Sequence, residues 1–218
     1  MFLGHFGLAF AAKKVAPQVS VGTTILAAEF LDSVWPLLVL CGVEKVQIAP
    51  GITRMTPLDF VHYPWSHSLA MAMVWGALFA LGYWLIRRRA RDAILLGAIV
   101  VSHWFLDWPM HRPDLLLYPG EAHGHGLGLW NSMGASLAIE TALFAAGIFI
   151  YLRSTRPLDR IGTYAFWALV VTLAVSYLGA AFGPPPPSVQ ALALMSLIGF
   201  VMVAWGWWID RHREPTGR

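Results

Sequence analysis

Long uninterrupted apolar runs dominate this chain and leave it few ways to fold. Six stretches, roughly 19–42, 65–86, 92–108, 129–152, 161–182 and 189–209, reach or approach the length of a membrane-spanning helix, which needs about 20 apolar residues. A seventh, 2–16, is shorter and ends at Lys13-Lys14. Strict polar–apolar alternation is absent, so the runs read as helices and not as barrel strands. A backbone in lipid must satisfy its own N–H and C=O groups, and a helix does so within one segment. Hydrophobic residues make up 57% of the chain and charged residues 12%, against about 25% charged in soluble domains. Too little polar surface exists to cover such a core in water. The expected fold is an all-α, polytopic transmembrane bundle of six to seven helices. It forms one membrane domain, with a site-bearing half at 1–152 and scaffold helices plus a tail at 153–218.

Charge placement predicts orientation. Arg87, Arg88, Arg89 and Arg91 form one turn, Arg153, Arg156 and Arg160 another, and Arg211, Arg213 and Arg218 close the tail. If the first turn is cytoplasmic, alternation puts the others and Lys13-Lys14 on the same side, leaving only Lys45, Arg54 and Arg112 opposite. That asymmetry is the positive-inside pattern and predicts a cytoplasmic C-terminus in a multi-pass inner-membrane protein. The net charge of +3 therefore reads as an orientation signal, with membrane lipid as the partner and no nucleic acid. No positive charge precedes Met1–Ala12, so this stretch is not read as a cleaved signal peptide. Tyr63, Trp65, Trp104, Trp108, Trp130, Trp205, Trp207 and Trp208 fall at predicted helix ends and read as interfacial belts. The single cysteine, Cys41, allows no internal disulfide.

Helices 161–182 and 189–209 carry no ionisable residue before Asp210 and read as lipid-facing scaffold. The earlier helices differ. Glu29, Asp32, His67, His103, Asp107 and Glu140 lie within or at the ends of apolar helices, where each ionisable group costs about 2.5–3.5 kcal/mol to insert. Such groups face the bundle interior and pair or bind something. Seven of the eight histidines, all but His212, fall on or near the outer side. His103 and Asp107 stand at i and i+4, on one helix face. Glu29 and Asp32 stand at i and i+3, and Ser132, Ser136 and Glu140 share another face. His62 and His67 flank a helix start. With no thiolate beyond Cys41, a metal here takes nitrogen and oxygen ligands: Zn²⁺ fits best, with Mn²⁺ or Fe²⁺ as alternatives. The blander readings are an intrahelical His103–Asp107 bond, interfacial anchoring by His62 and His67, and structural carboxyls at Glu29 and Glu140. His111, His123 and His125 read as loop residues, or as contacts to substrate phosphate or a second metal.

His5, the acidic pair Glu29 and Asp32, His62 to His67-Ser68, and Ser102-His103 to Asp107 together resemble the bacterial membrane-bound metal-dependent hydrolases of the LexA-regulated inner-membrane type. The likeness covers roughly residues 1–110. The family's second element is Pro-Asp-x-Asp, and here it is Glu29-Phe30-Leu31-Asp32, which favours Asp32 as the ligand. Tyr63-Pro64 replaces the usual Arg-Gly after the first histidine of the third element. The set is also distantly similar to zinc-dependent phospholipases C, which points to lipid or phosphoester substrates by analogy. The resemblance implies a metal held by His5, Asp32, His67, His103 and Asp107, with His62 as a further ligand or orienter. Glu29, Glu140 or His111 would act as a catalytic acid or base. A small transporter with a Glu29–Glu140 relay, and a non-catalytic protein with a structural metal, are the rival readings.

Overall fold

The computed structural model describes residues 1–216; Arg218, counted above with the basic side, lies outside the described residues. The chain begins with α1 (Leu3–Ala11), a 3-10 turn at Ala12–Lys14, α2 (Val21–Ala28) and α3 (Phe30–Leu40). A hairpin of β1 (Lys45–Ile48) and β2 (Leu58–His62) follows, then the one-turn helix α4 (Pro64–His67). Next come α5 (Leu69–Arg87), α6 (Ala90–Asp107), a long loop with a 3-10 turn at Leu129–Asn131, and α7 (Met133–Ser154). The rest is β3 (Thr155–Pro157), α8 (Arg160–Phe182), α9 (Val189–Ser196), α10 (Gly199–Ile209) and β4 (Arg213–Pro215), which pairs antiparallel with β3.

Helix starts follow local chemistry. Ser20, Ser68, Ser132, Asp159 and Ser188 each accept a hydrogen bond from an amide in the first turn of α2, α5, α7, α8 and α9, satisfying a donor that the helix cannot. Arg88 adopts a left-handed conformation (φ 55°) and closes α5.

Among the described residues, four helices are long and apolar enough to cross a membrane: α5, α7, α8 and the α9–α10 pair taken as one span. The α2–α3 pair makes a fifth if its 54° bend is one broken span. Six or seven is not reached, for two physical reasons. The 92–108 segment lies in α6, which carries Arg91, Asp92 and Asp107 in 18 residues. The 2–16 segment folds as a nine-residue helix, about 14 Å long, whose Leu3, Phe6, Ala9 and Phe10 are buried. The fold is also not purely helical, since two small antiparallel ribbons cap it.

Three glycine pairs set the closest crossings. A Cβ on Gly147 would meet the Gly7 carbonyl oxygen at 2.1 Å, joining α7 to α1. Gly76 and Gly97 face each other's carbonyls across α5 and α6, at 2.7 and 2.8 Å from an added Cβ. A Cβ on Gly206 of α10 would lie 2.6 Å from the Gly22 Cα of α2. Small residues at crossings let helices pack in lipid, where no hydrophobic drive brings them together. Phe10 then stacks edge-on against Phe166 and tilts against Tyr151, filling the space beneath α1.

The basic segments gather at one end. Arg91 donates to the Val15 carbonyl, Lys13 pairs with Asp210 at 3.2 Å, and Arg156 pairs with Glu214 across the β3–β4 ribbon. The aromatic belt is only partial. Trp65, Trp108, Trp207 and Trp208 are exposed, but Tyr63 and Trp104 are buried, and the Trp104 indole donates to the Leu116 carbonyl. The 1–152 and 153–218 halves interlock, with α10 packed on α2 and α8 on α1.

Substituting Gly147→Val is expected to force α7 off α1 and destabilise the protein by about 1–3 kcal/mol. Gly134→Ala, where an added Cβ meets nothing within 4 Å, is expected to leave stability unchanged or slightly raised. Thermal unfolding of the two variants in detergent checks the difference.

Candidate metal centre

The centre forms where four helices converge. Three of its residues sit where a helix ends or bends: Asp107 closes α6, His67 closes α4, and Asp32 lies in the first turn of α3 just past the α2–α3 bend. His103 stands one turn before Asp107, and His5 comes from the buried helix α1. Two overlapping sets bring their ligand atoms within 4.8 Å of one another: His5, His103 and Asp107, and Asp32, His67 and His103. All but Asp32 are buried. The His5 and His103 rings stack with centroids 3.7 Å apart, and the Met1 amino group contacts Asp107 Oδ1.

The hydrogen bonds on the far ring nitrogens assign the tautomers. His103 Nδ1 donates to the Ala28 carbonyl at 2.7 Å. Ser66 Oγ gives its one proton to Glu44 Oε2 at 2.7 Å, so the 2.7 Å contact with His67 Nδ1 is a bond that His67 donates. His111 Nδ1 lies 3.0 Å from Asp114 Oδ1 and donates to it. Each Nε2 is therefore turned toward the cluster. His103 Nε2 lies 3.2 Å from Asp107 Oδ2 and 3.8 Å from Asp32 Oδ1, yet makes no hydrogen bond to either. His67 Nε2 lies 3.2 Å from Asp32 Oδ1, and His111 Nε2 lies 3.6 Å from Asp107 Oδ2. Carboxylates buried this deeply need positive charge beside them. The Met1 amino group supplies one such charge at Asp107, and the clustered nitrogen and oxygen atoms can hold a divalent cation that would supply more. Nitrogen and oxygen donors of this kind suit zinc and its first-row neighbours alike.

A cavity of about 400 Å³ opens beside the cluster, lined at its polar end by Asp32, His67, Asp107, His111 and Glu29. Glu29 sits at the α2–α3 bend, and its buried Oε1 has no hydrogen-bond partner. Trp35, also on the wall, has an unpartnered indole N–H. His111 lies in the loop after α6, where burial pushes its imidazole below the ordinary histidine value. It tilts against Trp130, with centroids 4.1 Å apart, and touches the Tyr63 hydroxyl.

Several sequence expectations change here. His62 does not join the cluster: it ends β2 opposite Lys45, exposed, and the chain then turns so that Tyr63 and His67 point inward. Glu140 is buried, but its Oε2 accepts from the Phe2 and Gly4 amides and so holds the start of α1. It does not line the cavity, which leaves it no direct acid or base role there. His123 is exposed, and His125 pairs with Glu121 at 3.0 Å, holding the Glu121 carboxyl below the usual range. Helices α8, α9 and α10 are more than scaffold, because Leu173, Leu192 and Met202 line the cavity. Sequence reading missed Glu44, Ser66, Tyr63 and Asp114. Glu44 and Asp114 lie in loop segments with no helical period to relate them to the site, and only the fold brings them behind His67 and His111.

No protein-family model, curated protein or solved structure matches the chain.

Metal analysis of purified protein is expected to find a bound divalent ion that His103→Ala and Asp107→Ala both lose. Ser66→Ala removes the acceptor that orients His67, and is expected to weaken metal affinity about 10- to 100-fold. Metal titration against a competing chelator reads this directly.

Proposed function

We propose that this chain is an integral-membrane, metal-dependent hydrolase acting on an ester or phosphoester, with zinc as its ion. One observation carries the reading: three imidazoles, each fixed from behind, turn their Nε2 atoms toward two carboxylates on the wall of a cavity. His5, Asp32, His67, His103 and Asp107 would hold the ion. When bound, the ion supplies Lewis-acid polarisation and an acidified water.

The remaining chemistry falls to the chain's own groups. Glu29 Oε1, buried and unpartnered on the cavity wall, takes the proton of the attacking water. The water oxygen joins the phosphorus or carbonyl carbon as the ester oxygen leaves. Glu29 then returns its proton to the leaving oxygen and is restored to a carboxylate. The Trp35 indole N–H donates to a substrate oxygen, and His111, braced by Asp114 and Tyr63, shapes the cavity wall beside it. Glu44 acts through Ser66 to keep His67 turned toward the ion.

The resemblance to bacterial membrane-bound metal-dependent hydrolases supports this reading, and the concentration of basic residues at the other end supports placing the site near the outer face of an inner membrane, with the C-terminus in the cytoplasm. Glu140's bonds to the α1 amides disfavour a transport relay.

Zinc-loaded protein is expected to hydrolyse members of a panel of phospholipids and aryl phosphoesters, to stop on chelation, and to recover on zinc addition. Glu29→Gln is expected to lower turnover by about 10²–10⁴-fold with metal content unchanged. Full metal occupancy with no hydrolysis of any panel member would leave a structural metal site instead.

A further inference from the structure

The cavity at the metal centre is polar only at one end. From Asp32 and His111 it runs past Phe2, Phe6 and Trp35 to Leu173 of α8, Leu192 of α9 and Met202 of α10. Met195, Ile198 and Gly199 also line it, and Met195 and Ile198 are 60% and 52% exposed on the outer surface of the bundle. The same residues thus form both the inner wall and the outer surface, so the cavity opens sideways between α9 and α10. The opening coincides with the break in that span. α9 ends at Ser196 and α10 starts at Gly199. The backbone between them is closed by short-range bonds from Ile198 to Met195, Phe200 to Leu197 and Val201 to Ile198.

The depth of the opening fixes what can use it. The break lies eight residues into a span of 21, about 12 Å from its Val189 end. A bilayer's hydrocarbon core is about 30 Å thick, so the break faces acyl chains and not water. The two ends of the Val189–Ile209 span are placed by other contacts: α9 meets the β1 ribbon, and Asp210 just after α10 meets Lys13. The apolar arm therefore leads from lipid to the cluster. Helix α9 carries no ionisable residue, and the arm's polar side chains are Ser176 and Ser196, the latter donating to the Leu192 carbonyl.

We propose that the substrate is a membrane lipid that enters laterally between α9 and α10, leaving an acyl chain in the arm lined by Leu173, Leu192 and Met202 while its ester or phosphate reaches Asp32, His67 and His111. This rests on the hydrolase reading for the chemistry, but the chain-binding arm is observable by itself. Gly199 borders the arm, and a Cβ there meets nothing within 4 Å. A side chain at this position starts free of any clash, and a large one is expected to occupy the space an acyl chain needs.

The test uses full-length, zinc-loaded protein in nanodiscs containing a phospholipid with a photoactivatable diazirine on one acyl chain. Cross-links are mapped by mass spectrometry. Labelling of Leu192 and Met202 is expected to exceed that of the bilayer-facing Val171, Val175 and Leu194 about tenfold, the ratio that separates a held ligand from passing solvent by one decade in binding. Gly199→Phe and, as a second block, Leu192→Trp are expected to abolish the Met202 label while retaining wild-type metal content. Even labelling of cavity and bilayer faces, or a Met202 label that survives both blocks, would overturn the proposal. Turnover on a soluble aryl phosphoester, measured in the same samples, separates the two claims. If it is retained while labelling stays even, the lateral lipid route fails and the hydrolase stands. Localised labelling with no turnover on any ester would keep the lipid site and remove the hydrolase.

Discussion

The carboxylate of Asp107 sits at the end of an apolar helix with almost no water around it, and the rest of the molecule is arranged to make that tolerable. His5, His103 and His111, together with the Met1 amino group, all lie against it. They come from the N-terminal residue, α1, α6 itself and the following loop. Desolvation of an uncompensated charge costs more than any single contact in the bundle contributes. The elements that carry these partners are therefore held in register with α6, and the short helix α1 is buried at the centre because His5 must reach Asp107.

Three of the imidazoles at the cluster are held from behind, while the far nitrogen of His5 has no hydrogen-bond partner. Each imidazole has two nitrogens, and a bond on one fixes which way the other faces. The Ala28 carbonyl serves His103, Ser66 backed by Glu44 serves His67, and Asp114 serves His111. The α2–α3 bend has two effects at once. It presents the Ala28 carbonyl to His103, and it turns Glu29 and Asp32 toward the same cavity.

What the sequence made legible depended on how local the signal was. Long apolar runs identified the membrane helices α5, α7 and α8, and the i, i+4 spacing put His103 and Asp107 on one face of α6. Helix count was harder, because hydropathy does not separate a spanning helix from one buried inside the bundle: α1 is apolar except for His5 but only nine residues long. From sequence His62 could point at the same place as His67, as a further ligand or orienter, and only the turn at Tyr63 decides that His67 alone points inward. Glu140 looked like an acid or base at midplane, and its real partners are amides of α1, more than a hundred residues away. Glu44 and Asp114 had no periodic signal at all, since their roles exist only once β1, β2 and the loop after α6 are folded over the cluster.

The glycine crossings distribute stiffness unevenly through the molecule. Where α1 meets α7, α5 meets α6 and α2 meets α10, backbone rests on backbone, with no side chain between to change rotamer and absorb a displacement. Helix α9 has no such crossing; it contains no glycine and rests on α3 through side chains that can re-pack. A displacement at any of the three crossings must move two helices together, whereas α9 can shift against α3 by side-chain rearrangement alone. Helix α9, whose Leu194 and Met195 are exposed, is thus tied less tightly than α1 and α6, which carry His5, His103 and Asp107.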